Sequence, residues 1–140
     1  VKLFIDTWDW LELRDNRSPR HQEVNRHYFD FQQRGGLAYT SDYVLDETIT
    51  HFFNRLHFKT AVESVEIIQQ AISAGFLHLE WITETRFKQA LELRRKFDDK
   101  PRISFTDLTS MVVMTELGIT DVLTEDAHFI QAGFGFNRVP

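Results

Sequence analysis

Lys2-Leu3-Phe4-Ile5-Asp6-Thr7 opens the chain with a strand that runs straight into an acid and a hydroxyl. Three consecutive apolar residues leave no polar face, which predicts a strand buried on both sides, as in a parallel sheet. Far along the chain, Val122-Leu123-Thr124 repeats the pattern and delivers Asp126. In an open α/β sheet, ligands bind outside the carboxyl ends of parallel strands, so two such acids would meet in space. Carboxylates placed together repel unless a proton or a cation lies between them. The pairing predicts a divalent-metal site.

Between these strands the pattern alternates. A short helix is expected near Trp8 to Leu13, and the polar loop Asn16-Arg17-Ser18-Pro19 follows it. Residues 20 to 34 read as helical, with Val24, Tyr28 and Phe31 on one face and Gly35-Gly36 as the stop. Leu37 to Thr40 is a short strand. Ser41 or Asp42 caps the next helix, which runs to about Leu56 with Leu45, Ile49, Phe52 and Leu56 as its apolar stripe. Another helix from Lys59 to Ala74 directs Ala61, Val65, Ile68 and Ile72 inward and stops at Gly75, before a strand from Phe76 to Trp81.

Thr83 caps a helix through about Phe97, with Phe87, Ala90 and Leu91 inward. Asp98-Asp99-Lys100-Pro101-Arg102 is a turn, because proline disfavours helix at the residue before it. Ser104 opens the helix that ends near Gly118, Asp121 to Thr124 is a strand, and a last strand is expected around Phe136 to Val139. Strands separated by helices imply parallel pairing with right-handed crossovers. The expected class is α/β: a three-layer α/β/α sandwich around a central, mainly parallel sheet, as one domain over residues 1–140.

Composition permits this and narrows the function. At 140 residues the chain is near the commonest single-domain size, and its 42% apolar and 26% charged content is ordinary for a globular protein. Thirteen Phe and three Trp imply a heavily aromatic core or an aromatic interface. Zero Cys excludes disulfides, thiolate catalysis and Cys-ligated zinc, and fits a reducing compartment. No stretch has the apolar length to span a bilayer, and Val1-Lys2 opens a strand and not a signal peptide. A soluble, cytoplasmic protein without a membrane partner is expected.

The net charge of −5 argues mildly against nucleic acid, although acids clustered for a metal inflate that count. The cations are uneven. Arg14, Arg17 and Arg20 follow the first strand, while Arg94-Arg95-Lys96, Lys100 and Arg102 precede a third acid, Asp107. A solvated face is the ordinary reading of such a cluster.

Each acid alone has a plain alternative as a helix cap: Asp6 and Asp126 before helical turns, and Asp107 at the end of the capping-box-like Ser104-Phe105-Thr106-Asp107. What favours a metal is that all three fall at one sheet edge, which capping does not require. Asp42-Tyr43-Val44-Leu45-Asp46-Glu47 offers a fourth acid, but local geometry leaves Asp42, Asp46 and Glu47 open. Glu47 points roughly opposite the expected stripe on an ideal helix.

An Asp closing the first strand, a Glu inside the helix after the second, Ser104-Phe105-Thr106-Asp107 and Leu123-Thr124-Glu125-Asp126-Ala127-His128-Phe129 together resemble the PIN-domain nucleases. The resemblance runs from Phe4 to Phe136, at a size similar to the single-domain VapC-type ribonuclease toxins. It implies acids at Asp6, Glu47, Asp107 and Asp126, with Thr124 as a supporting hydroxyl. Asp6, Asp107 and Asp126 would bind metal. The cofactor would be Mg²⁺ or Mn²⁺, which prefer oxygen ligands. An RNA substrate, an antitoxin partner and a homodimer follow from the same likeness, the Phe-rich helices from Tyr43 to Ala74 being candidate contact surfaces. Trp8 departs from the small polar residue many members have near the first Asp.

Trp8, Trp10, Arg14 and Arg17 could engage unpaired RNA bases near the first acid, although core or dimer packing is the commoner role for such Trp residues, and no substrate-binding residue is assigned. His128, two residues after Asp126, could contact substrate or leaving group, although an exposed side chain is the commoner role, and none of the six His is assigned one. Three other readings compete. A metal-dependent phosphatase of the haloacid-dehalogenase type needs Asp-x-Asp, but Trp8 stands at the second position. A receiver domain needs paired acids after the first strand, and its Lys-Pro pair should follow an apolar strand, unlike Lys100-Pro101. A non-catalytic PIN-like module that binds RNA or protein would commonly have lost one of the four acids.

Overall fold

The computed structural model describes residues 1–140. The order is β1 (Lys2–Ile5), α1 (Thr7–Arg14), α2 (His21–Gln33), β2 (Leu37–Ser41), α3 (Asp42–Arg55), α4 (Phe58–Ser73), β3 (Leu77–Glu80), α5 (Glu84–Lys96), α6 (Phe105–Leu117), β4 (Asp121–Leu123), α7 (His128–Gln131) and β5 (Asn137–Val139). The strands form one sheet in the order β3-β2-β1-β4-β5, and every neighbouring pair is parallel. Helices flank it as an α/β sandwich. Leu3, Phe4 and Ile5 are all buried although they alternate sides, so β1 is covered on both faces. The edge strand β5 exposes Asn137 and Arg138, which discourages pairing with another chain.

After β1 the chain builds outward on one side through β2 and β3, then returns to build β4 and β5 on the other. The crevice between β1 and β4 is therefore the switch point where such sheets bind ligands. Ile5 pairs with Leu123, and the Asp6 amide continues the ladder onto the Leu123 carbonyl at 3.1 Å. That register sets Asp6 beside Thr124.

Caps fix the helix starts. Ser41 accepts from the Val44 amide, Thr83 from Arg86 and Ser104 from Asp107. At the end of α6, Gly118 takes φ +67, the left-handed conformation that glycine adopts without a Cβ penalty. Residues Asp107 to Met114 of α6 are buried without interruption, so this helix is enclosed on all sides. No helix is long and apolar enough to cross a membrane.

Apolar periodicity misplaces the inner faces of two helices. On α3 the buried line is Val44, Thr48 and Phe52, whereas Ile49 of the expected stripe is 37% exposed. The most apolar face is not the one turned to the core, because α3 packs against α1 and α4 as well as β2. On α5 Ala90 is buried, while Phe87 and Leu91 sit at the margin, Phe87 edge-on to Phe105 at 5.2 Å. The small Ala90 permits the close approach of α5 to α6. Strand β3 is shorter than expected, leaving Phe76 and Trp81 exposed at its ends.

This orientation of α3 makes a measurable difference. Phe52→Ala is expected to lower unfolding free energy by about 3–5 kcal/mol in urea titrations, against about 1 kcal/mol or less for Ile49→Ala.

Candidate metal centre

Asp6 stands at the N-terminus of α1, but its side chain makes no capping bond there. It is 2% exposed, and its Oδ2 accepts the Thr124 hydroxyl at 2.8 Å. The same Thr124 oxygen accepts the Asp126 amide at 3.0 Å, so one hydroxyl ties both strand ends together. Asp126 Oδ1 accepts the His128 amide at 2.8 Å, which retains a local turn-forming role for that acid.

Asp107 lies in the first turn of α6 and is 7% exposed, placed by the Ser104 cap. Glu47 is half-buried and its Oε1 accepts the Thr7 hydroxyl at 3.2 Å. The rotation of α3 explains this: with Val44, Thr48 and Phe52 inward, Glu47 lies on the side facing α1 and not opposite the core. The three acids of that segment are thereby distinguished. Asp42 accepts the Ile82 amide at 2.7 Å, Asp46 is exposed, and Glu47 is the one held beside residue 7.

The electrostatics report a cluster short of positive charge. Burial raises Asp6 to about 6; the Thr124 hydroxyl and the Thr7 backbone amide oppose this, and the charges of Asp126 and Glu47 add to it. Burial likewise pushes Asp107 far above the carboxylate range, helped by the charge of Asp6 and by its contact with Asp126. Ligand atoms of Asp107, Asp126 and His128 all lie within 4.8 Å of one another. Oxygen-rich donors that resist ionising together are what a hard divalent cation relieves, so the residues fit Mg²⁺ or Mn²⁺.

Two features escaped the sequence reading. His128 is neither exposed nor detached: its Nδ1 is buried, 3.0 Å from Asp126 Oδ1 and 3.8 Å from Asp107 Oδ2. Its spacing two residues after Asp126 was the available signal. Asp9 is fully buried with neither carboxylate oxygen hydrogen-bonded, 3.6 Å from Arg20, which also reaches Glu125 Oε1 at 2.7 Å. Burial raises Asp9 to about 7, with Arg20 opposing and Asp6 adding. Nothing local in the sequence pairs residues 9, 20 and 125. Of the tryptophans, Trp10 is core and donates to Thr40 Oγ1 at 3.4 Å. Trp8 is 42% exposed, with His51 at 4.5 Å and the Arg55 guanidinium at 5.0 Å from its ring.

Compared with known proteins, residues 3–135 match the family model of the PIN domain. No curated protein matches the chain. Among solved structures it is similar to Mycobacterium tuberculosis VapC20, described as a sarcin-ricin loop cleaving toxin. The two share 29% identity at a TM-score of 0.80, over 94% of this chain and 95% of that one.

The raised Asp6 carboxyl links stability to pH. Its stabilising contribution is full below its ordinary value of 3.8 and is lost as pH rises through about 6. Asn at this position still accepts from Thr124 but never ionises. Asp6→Asn is therefore expected to match wild type near pH 4 and to exceed it by roughly 2–3 kcal/mol at neutral pH without metal. Thermal melts across that range check this, and Mn²⁺ should narrow the gap by stabilising wild type.

Proposed function

This chain belongs to the PIN domain family, and on that premise we propose that it is a metal-dependent endoribonuclease, the toxin of a toxin–antitoxin pair, acting as one domain over residues 1–140. The observation that supports this reading is the gathering of Asp6, Glu47, Asp107 and Asp126, from two strand ends and two helices, at the carboxyl ends of β1 and β4. The likeness to a toxin that cleaves the sarcin–ricin loop makes structured ribosomal RNA the first substrate to try.

Asp6, Asp107 and Asp126 would hold Mg²⁺ or Mn²⁺, with Thr124 fixing the Asp6 oxygen that faces it. When bound, such a cation acidifies water and offsets charge on the phosphoryl oxygens. Glu47, steadied through Oε1 by Thr7, has Oε2 left to orient the attacking water and take its proton. The His128 backbone amide holds the Asp126 carboxylate in its rotamer, and the ring Nδ1 stands between Asp126 and Asp107. No side-chain nucleophile is needed. The exposed apolar residues Ile49, Phe53 and Phe58 on α3 and α4 support contact with a second copy of the chain. An antitoxin would cover the groove beside the acids.

Purified protein with an RNA hairpin bearing the sarcin–ricin sequence is expected to cleave it in Mg²⁺ or Mn²⁺ and to stop on chelation. Asp107→Asn should lose at least about 100-fold in rate, judged by product separation on denaturing gels. Cleavage that persists with chelator and in the variant rules the reading out, and RNA binding without any cleavage favours a non-catalytic module.

A further inference from the structure

The basic run before α6 is built into a rigid cavity wall. Arg94, on the last turn of α5, donates through Nη2 to the carbonyls of Phe97 at 2.8 Å and Lys100 at 2.6 Å, and through Nη1 to Ile103. One guanidinium thus gathers three carbonyls of the 97–103 turn. Such a turn loses little freedom when it binds something.

Between this turn and α7 lies a cavity of about 370 Å³ whose lining includes Asp99, Lys100, Arg102, Gln131 and His128. His128 is the shared wall. The ring whose Nδ1 sits 3.0 Å from Asp126 and 3.8 Å from Asp107 also borders this cavity. The cationic pocket is therefore next door to the acid cluster. Arg102 is exposed and has no carboxylate partner. Lys100 reaches Asp99 Oδ2 at 3.0 Å and lies 5.6 Å from the Phe97 ring. A polyanion approaching a group of buried carboxylates needs positive charge placed just beyond them, and both charges stand there.

We propose that this cavity binds the phosphodiester group flanking the scissile one, with Arg102 and Lys100 as its counter-charges. The proposal rests on the nuclease reading and adds to it a substrate subsite. The flanking phosphate takes over Lys100 from Asp99, and Arg102 offers it two N–H donors in a fork. His128 then separates a subsite that binds substrate from acids that act on it. The turn's rigidity keeps the two subsites at a fixed spacing along the strand.

Arg102→Ala, Lys100→Ala and Asp99→Asn would be compared with wild type on the RNA hairpin in Mn²⁺, with Mn²⁺ affinity measured separately by titration. The first two variants should raise KM about tenfold at unchanged kcat and Mn²⁺ affinity. Each should also reduce the slope of log KM against log salt by about 0.7, the figure for one phosphate contact on a single strand. Asp99→Asn frees Lys100 and should lower KM, an effect that misfolding cannot mimic. Unchanged KM and salt slope in all three, with wild type cleaving normally, overturn the subsite and leave the nuclease standing. A loss confined to kcat also overturns it, as does an unchanged RNA KM with weakened binding of poly-glutamate, which would assign the cavity to a protein partner. Wild type that neither binds nor cleaves RNA removes both readings.

Discussion

The Thr124 hydroxyl donates to Asp6 at 2.8 Å and accepts from the Asp126 amide at 3.0 Å. This one oxygen depends on β1 and β4 lying side by side in the register Ile5 to Leu123, across almost the whole length of the chain. A slip of one residue would turn every side chain of β4 to the other face and separate the two acids. Much of the molecule holds that register. Helix α6, buried along most of its length, delivers Asp107 to the same crevice, and α3 packs on α1 to bring Glu47 to Thr7. The carboxylates are held together by the packing of the whole domain, and burial first, with their mutual charge adding, raises Asp6 and Asp107.

Where local chemistry determines structure, the sequence was readable. The bounds of β1, the caps at Ser41, Thr83 and Ser104, and the stop at Gly118 each depend on a few neighbouring residues. The parallel sheet followed from strands without a polar face. Helix rotation was less legible. Ile49 and Phe87 look like core residues by spacing, yet neighbouring helices, and not periodicity, decide which side is covered. The same cause hid the placement of Glu47, which makes sense only once Thr48 replaces Ile49 on the inner line. The Asp9–Arg20–Glu125 group and the approach of His128 to Asp107 stayed hidden for a related reason: their partners are brought near by the fold.

Net charge proves a poor guide to what this surface can hold. The −5 total includes acids sequestered in the crevice, where they meet solvent little, while Arg102 and Lys100 stand along its border. A polyanion responds to the local field at the crevice mouth, and a bulk isoelectric point averages that away.

The buried Asp9 constrains how the chain can change over generations. Its carboxylate has Arg20 as its only nearby cation, and Arg20 in turn grips Glu125 beside Asp126. Losing the arginine alone leaves a buried carboxyl without a partner and drives it to take up a proton, whereas exchanging both members for apolar residues can be neutral. Positions 9 and 20 are therefore epistatic: a lineage must first neutralise the aspartate before the arginine becomes free to drift. Mutational order, and not only mutational outcome, is written into this corner of the domain.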